Sequence, residues 1–283
     1  MPAKIIDGKA LAAAIRAQST EEVRRLSARG VTPGLAVILA GDDAASKVYV
    51  RNKIRACEET GVRSEMHEFP GSVSESALLE CIAALNADPA LHGILVQLPL
   101  PRQIDEVRAL AAVSGLKDVD GFHVQSLGSL LSGRPGFVAC TPAGIMRMLE
   151  HEGIDPRGKH AVVVGRSTIV GKPVSLLLLQ KDATVTICHS RTADLPQVTR
   201  QADILVAAVG KANLITADMV KRGACVIDVG MNRLPDGKLV GDVDYAGVRE
   251  VAGWITPVPG GVGPMTVAML IANTVRAAQQ RAG

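Results

Sequence analysis

Ser46, Tyr49 and Lys53 stand at i, i+3 and i+7 within the run SKVYVRNKIRACEETGV, so on a helix all three project from one face about two turns long. A hydroxyl, a phenol and an amine aligned in this way suit proton transfer. Burial disfavours the charged form of a lysine, by up to ~3–5 pKa units when complete, and would make a neutral amine available as a general base near pH 7. Two further polar insertions occur where the pattern expects apolar or turn residues: Gln97 at the end of GILVQLPLP, and Asp118 and Asp120 in KDVDGFH. Gln97 can hydrogen-bond Lys53 and hold its neutral form, and an aspartate can accept from paired N–H donors of a heterocycle. The six histidines show no H-E-x-x-H spacing, so hydrolysis by a bound metal has no support.

A second constellation is HAVVVGRSTIVGKP, a hydrophobic strand, a glycine turn and the start of a helix, the arrangement that sets a pyrophosphate on a helix N-terminus in a doubly wound sheet. Gly165 is followed by Ser167 and the last glycine is Gly171, so the turn is a variant of the usual G-x-G-x-x-G. The next strand ends His189-Ser190-Arg191 without a carboxylate, and Arg166 lies in the turn; a basic set there favours a 2′-phosphate, hence NADP over NAD. Val209-Gly210 and Asp228-Val229-Gly230 close two further apolar runs, at the carboxyl edge where the nicotinamide end is expected. TPVPGGVGPMT, residues 256–266, crowds prolines and glycines just before the last helical run, which allows close backbone approach to a ligand. The Tyr-x-x-x-Lys spacing also resembles that of short-chain dehydrogenases, where the pair follows the glycine turn in a single domain. Here Tyr49 and Lys53 precede Gly165 by more than a hundred residues, which predicts an acid–base group and a cofactor on different domains with a cleft between them.

The elements that must position these groups are legible as apolar runs near Leu35, Gly93, His160, Thr184, Asp203 and Ala224, alternating with segments of helical period. That alternation predicts an α/β fold. Residues 45–60 and 74–86 read as helices, the second opened by Ser74. The rhythm breaks from Arg102 to Gly144, a stretch rich in Gly, Pro, Ser and Asp, and a domain boundary is expected near Cys140. A terminal helix is expected from Met265 to Ala282, packing back on the first domain.

Composition narrows the function classes. With 283 residues, 47% of them hydrophobic, the chain is long enough for a sizeable core in one large or two modest domains. The 31 basic and 28 acidic residues are interspersed and only one Trp, two Tyr and three Phe are present, so neither a polyphosphate-binding stripe nor a base-stacking platform is expected, and nucleic acid is excluded as partner. Cys57, Cys81, Cys140, Cys188 and Cys225 are odd in number and form no C-x-x-C pair; they read as reduced thiols in the cytoplasm rather than a disulfide framework or zinc site. No apolar stretch is long enough for a membrane span or a signal sequence.

Taken together, YVRNKIRACEETGV, GILVQLPLP, KDVDGFH, CTPAG, VVVGRSTIVGKP and PGGVGPMT resemble, in order and over nearly the whole chain, the bifunctional methylenetetrahydrofolate dehydrogenase/methenyltetrahydrofolate cyclohydrolase family. The resemblance implies oxidation of 5,10-methylenetetrahydrofolate with NADP to the methenyl cation, and hydrolysis of that cation to 10-formyltetrahydrofolate. It implies an α/β fold of two domains: a folate-binding catalytic domain of residues 1–139 plus 266–283 and a Rossmann-like NADP-binding domain of residues 140–265, the folate lying in the interdomain cleft. By the same resemblance Tyr49 stacks on the folate, Lys53 manages protons for hydrolysis, Gln97 tunes that lysine and Asp120 binds the pterin. The folate site is expected to comprise Ser46, Tyr49, Gln97, Leu98, Pro99, Asp120, Pro259, Gly260 and Gly261. The NADP site is expected to comprise Gly165, Arg166, Ser167, Val170, Gly171, Pro173, Ser190, Arg191, Gly210, Asp228, Gly230 and Thr266; no metal is expected. Tetrahydrofolate derivatives, with or without a polyglutamate tail, are the expected small-molecule partners. A cytoplasmic homodimer serving purine biosynthesis is the implied setting.

The chain departs from the family pattern after KDVDGFH, where Val124 and Ser126 replace a usual proline and asparagine, and at Ala139, where a proline is frequent. The first two changes predict a loop of altered stiffness that has lost one amide hydrogen-bonding group. Two other readings stand beside this one. A different NADP-dependent dehydrogenase on the same plan would need another explanation for the Ser46/Tyr49/Lys53 face, and a silent binding protein would be expected to have lost Lys53 or Asp120.

Overall fold

The computed structural model describes residues 1–134 and 136–282. In chain order the elements are β1 (Lys4–Ile5), α1 (Gly8–Ser27), β2 (Gly34–Ala40), α2 (Ala44–Thr60), β3 (Arg63–Phe69), α3 (Glu75–Ala87) and β4 (Gly93–Val96). Three helices follow without a strand, α4 (Glu106–Ala112), α5 (Val124–Leu131) and α6 (Cys140–His151). Alternation resumes with β5 (His160–Val164), α7 (Gly171–Leu179), β6 (Thr184–Cys188), α8 (Leu195–Thr199), β7 (Ile204–Ala207) and β8 (Cys225–Asp228). The chain closes with β9 (Asn232–Arg233), β10 (Leu239–Val240), α9 (Tyr245–Arg249), β11 (Trp254–Ile255) and α10 (Val262–Ala282). Two compact units result, residues 1–12 with 141–266, and residues 13–140 with the stretch from 267 onward. Residue 283, which ends the expected folate-binding domain, lies outside the described residues. Among the described residues no helix is long and apolar enough to cross a membrane.

The unit of residues 13–140 is built on a three-stranded parallel sheet in the order β3-β2-β4. Every residue of β2 and β4 is buried, which is why both read as unbroken apolar runs. Successive side chains of β2 enter opposite cores. Leu35, Val37 and Leu39 join Val50 and Cys57 of α2 and Leu270, Ile271 and Val275 of α10, while Ala36, Ile38 and Ala40 join Leu78, Ile82 and Leu85 of α3. The C-terminal helix thus packs on this unit as expected, and Asn273 on it is buried, its Nδ2 donating to the carbonyls of Val119 at 2.8 Å and Val138 at 3.2 Å. The sequence RSEMHEF forms β3 although it reads as polar; an edge strand tolerates charge because one side lacks a neighbour and one face meets water. Helix α2 starts at Asp43, whose carboxylate accepts from the Ser46 N–H at 2.7 Å, and α3 starts at Ser74 as expected.

The second unit holds a six-stranded sheet in the order β1-β11-β8-β7-β5-β6, parallel throughout, and an antiparallel β9–β10 hairpin. Strands β6 and β7 lie on either side of β5, so the carboxyl end of β5 is a topological switch point, the place where such sheets bind ligands. The expectation of a first domain beginning at residue 1 differs from this partition at the N-terminus. Lys4 and Ile5 pair with Trp254 and Ile255, and the Ala3 N–H donates to the Arg249 carbonyl at 2.8 Å, so these residues extend the second unit's sheet.

Asn273 donates from a buried position to two backbone carbonyls, those of Val119 and Val138. Asn273→Leu should destabilise the fold by about 1–3 kcal/mol through the unpaired acceptors it leaves, which denaturant unfolding would measure; an unchanged midpoint would remove Asn273 from this role.

Candidate active site

Helix α2 brings Ser46, Tyr49 and Lys53 onto one face, with Ser46 and Lys53 buried and Tyr49 half-buried. Burial raises the Tyr49 phenol above its ordinary pKa. Lys53 Nζ donates to Gln97 Oε1 at 3.0 Å, the contact expected from the polar interruption at the end of β4. The orientation of the Gln97 amide is fixed from its other side, since Nε2 donates to the Leu98 carbonyl at 2.7 Å; only the oxygen is then left to face the lysine. Ser46 Oγ also donates to the Leu98 carbonyl, at 3.4 Å. The Leu98–Pro99 peptide is cis, and Pro99 is exposed.

Asp120 is half-buried on the turn between α4 and α5. Burial pushes its carboxyl up, while the Lys53 charge and a hydrogen bond from Cys140 act in the opposite direction. The turn itself is shaped by Asp118, which is buried and accepts from the backbone N–H groups of Gly121, Phe122 and His123 at 3.1, 3.1 and 2.9 Å. Its Oδ2 takes a further bond from Ser126 Oγ at 2.6 Å. Burial pushes the Asp118 carboxyl up, and these donors oppose the shift. At Ser126, then, a side-chain donor survives the departure from the family pattern, as a hydroxyl. Val124 opens α5 and is exposed. Upstream, Lys117 is buried and its Nζ donates to the carbonyls of Leu85 and Asp88 at 2.8 and 2.6 Å, capping the C-terminal end of α3. Burial, then the Arg281 charge, draws its pKa down.

In the other unit, the turn from Gly165 to Val170 leads from the carboxyl end of β5 into α7. Gly165 has φ +130°, and a Cβ there would stand 2.2 Å from the Ala208 carbonyl oxygen, so only glycine fits. Ser167 Oγ accepts from the N–H groups of Val170 and Gly171 at 3.1 and 3.3 Å. Arg166, Ser190 and Arg191 are all exposed, and Pro173 is buried in the first turn of α7. This set of donors without a carboxylate fits an NADP 2′-phosphate. Thr266 Oγ1 lies 2.8 Å from Thr141 Oγ1. Pro259, Gly260 and Gly261 also fall in this unit, with Val258–Pro259 cis and the Gly260 carbonyl accepting from the Lys9 N–H at 3.0 Å.

Asp228, read from the sequence as a cofactor residue, is buried and turned toward the backbone. It accepts from the N–H groups of Gly230 and Asp242 at 2.9 Å each and of Val243 at 3.0 Å. Asp242 is wholly buried and accepts from the N–H groups of Val209, Gly210 and Lys211 at 2.6, 2.9 and 2.8 Å. Sequence reasoning missed Asp242. Its backbone partners lie more than thirty positions upstream, and the one local cue is the first aspartate of GDVD, set between glycine and valine in a stretch that reads as loop.

Comparison with known proteins covers both units. Residues 6–120 match the family model described as tetrahydrofolate dehydrogenase/cyclohydrolase, catalytic domain, and residues 139–282 match its NAD(P)-binding domain. The chain is 62% identical to the bifunctional protein FolD of Paracidovorax citrulli over 100% of both chains. Among solved structures it is similar to the bifunctional FolD of Campylobacter jejuni, at TM-score 0.97 and 48% identity over 98% of this chain and 99% of that one. It is also similar to Trypanosoma brucei FolD complexed with NADP cofactor and inhibitor, at TM-score 0.96 and 41% identity over 99% of each chain.

Burial outweighs the three N–H donors at Asp228 and raises its carboxyl to about 7, from 3.8. A raised folded-state pKa means that the folded chain holds this proton more tightly, so the resulting stabilisation is full below about pH 4 and is lost as pH rises through about 7. Urea unfolding across that window should show wild-type stability falling relative to Asp228→Asn; parallel profiles for the two proteins would rule out this titration.

Proposed function

Because the chain belongs to the tetrahydrofolate dehydrogenase/cyclohydrolase family, we propose that its two activities are carried by the two constellations just described. The protein is a bifunctional one-carbon enzyme: it oxidises 5,10-methylenetetrahydrofolate to 5,10-methenyltetrahydrofolate with NADP and hydrolyses the product to 10-formyltetrahydrofolate. The assignment of residues to these steps rests above all on the buried Lys53 bonded to Gln97 at 3.0 Å.

In hydrolysis, water adds to the methenyl carbon and loses a proton; the bond from that carbon to N5 then breaks as N5 takes up a proton, which leaves the formyl group on N10. Lys53 Nζ, on the rigid α2 and held to one direction by Gln97 Oε1, is the group that takes or returns that proton. Gln97 cannot turn away without giving up its bond to the Leu98 carbonyl. Tyr49 offers the flat face of its ring to the folate, with Ser46, Leu98 and Pro99 beside it, and Asp120 accepts from the N–H groups of the pterin. Pro259, Gly260 and Gly261 complete the folate contacts.

When bound, NADP accepts a hydride from the folate one-carbon unit, and the chain's task in that step is chiefly placement. The glycine turn Gly165–Gly171, with Ser167, Val170 and Pro173, receives the pyrophosphate. Arg166, Ser190 and Arg191 take the 2′-phosphate, while Gly210, Asp228, Gly230 and Thr266 frame the nicotinamide end. Residues 1–139 plus 266–283 then form the folate-binding domain and 140–265 the NADP-binding domain, with the short β1 of the former pairing into the six-stranded sheet of the latter. A cytoplasmic homodimer working in purine biosynthesis completes the proposal; full-length kinship with bacterial FolD proteins supports it.

Two substitutions separate the roles. Lys53→Gln should reduce methenyl hydrolysis by about a hundredfold or more, the scale of a lost acid–base group, with a smaller effect on hydride transfer; equal losses in separate assays would refute the division. Arg166→Ala should narrow the NADP/NAD preference by roughly tenfold, the scale of one hydrogen bond to a charged group, and an unchanged ratio of the two kcat/KM values would sink that assignment.

A further inference from the structure

Val209, Gly210 and Lys211 are exposed and follow directly on the carboxyl end of β7, the strand beside β5. Their three consecutive N–H groups all turn inward to one carboxylate, Asp242, which shows no exposure. Successive N–H groups curled round an anion form the concavity that proteins use for phosphates. Here the anion is the chain's own. Oδ1 of this carboxylate, which accepts from Lys211 N–H, also receives Asn232 Nδ2 at 3.0 Å, and the Gly230 backbone packs so closely that a Cβ there would lie 2.2 Å from Asp242 Oδ1. One buried side chain thereby fixes the loop after β7 and the loop after β8 together.

We propose that Asp242 is a positioning residue for the cofactor, setting the path of Val209–Lys211 and of Gly230 so that these loops meet the nicotinamide end of NADP and not its phosphates. The inference rests on the assignment of Gly210 and Gly230 to the cofactor site. With its N–H groups already taken, the 209–211 loop has no backbone donor to cradle an anion, which leaves the backbone phosphate cradle to the Gly165 turn. Neither oxygen of Asp242 needs to touch the cofactor for this.

Asp242→Asn keeps the side-chain volume and replaces one acceptor by an NH2 group that confronts backbone N–H donors. The expected result is NADP binding weakened about tenfold in calorimetric titration, the scale of one lost charge-assisted bond. KM for NADP should rise with it, kcat at saturation being largely kept. Methenyl hydrolysis, assayed without NADP, should stay within about twofold of wild type, which shows that the chain is folded. An unchanged NADP Kd, or a loss of hydrolysis equal to the loss of binding, would overturn the proposal. Should that variant not fold, Asn232→Ala removes a single donor to the carboxylate and leaves its backbone bonds; a weaker NADP Kd with normal hydrolysis supports the proposal, and an unchanged Kd overturns it. Absence of NADP binding by the wild-type chain would instead overturn the cofactor assignment, and this inference with it.

Discussion

Where a parallel strand ends, its last backbone groups lose the neighbour that paired them, and the same carboxyl edge is where ligands bind. The loops there must be ordered without a ladder. This chain orders them with buried carboxylates. Asp118 gathers three N–H groups and a hydroxyl behind the turn that carries Asp120, while Asp228 and Asp242 gather six N–H groups behind the loops that follow β7 and β8. Removing such a group from water is costly unless its oxygens are met by donors. Both sides therefore gain: the carboxylate finds partners, and the loop acquires one conformation before any ligand arrives.

Lys53, in the unit that matches the catalytic-domain model, is held by the same logic with the signs reversed. Lys53 is a donor buried among few acceptors, and Gln97 supplies one whose direction is set by the Leu98 carbonyl. Lys117 shows the alternative use of a buried amine. It finds carbonyls at the end of α3, where the helix dipole favours a positive charge, and anchors the start of the Asp118 turn. Two lysines of similar burial thus differ in task because one faces a tunable amide and the other a helix terminus.

These roles were unequally visible in the chain. The Ser46/Tyr49/Lys53 face could be read because helical spacing is a local property, and Gln97 because a polar residue interrupts an apolar run. The doubly covered strands β2, β4, β5, β7 and β8 announce themselves as continuous aliphatic stretches. The edge strand β3 does not, since charge on an edge strand looks like a loop. Helix α1 carries Leu11, Ile15, Val23 and Leu26 among strong helix formers, a signal that was present and weak. The β1–β11 pairing rests on two residues from each end of the chain, too few for any pattern. Asp242 was hidden for a deeper reason: its meaning lies in backbone groups far off in sequence, and no side chain among those three residues marks it.

The core of both units is aliphatic, and the chain's one tryptophan, Trp254, lies in β11, between β1 and β8 of the NADP-binding unit. Optically this divides the molecule. Indole emission comes from a single place in a single unit, and the unit of residues 13–140, whose tyrosine is Tyr49, is dark to light that excites only indole. The intrinsic indole fluorescence of this protein is therefore a reporter of one unit, built in by a sequence that holds one tryptophan.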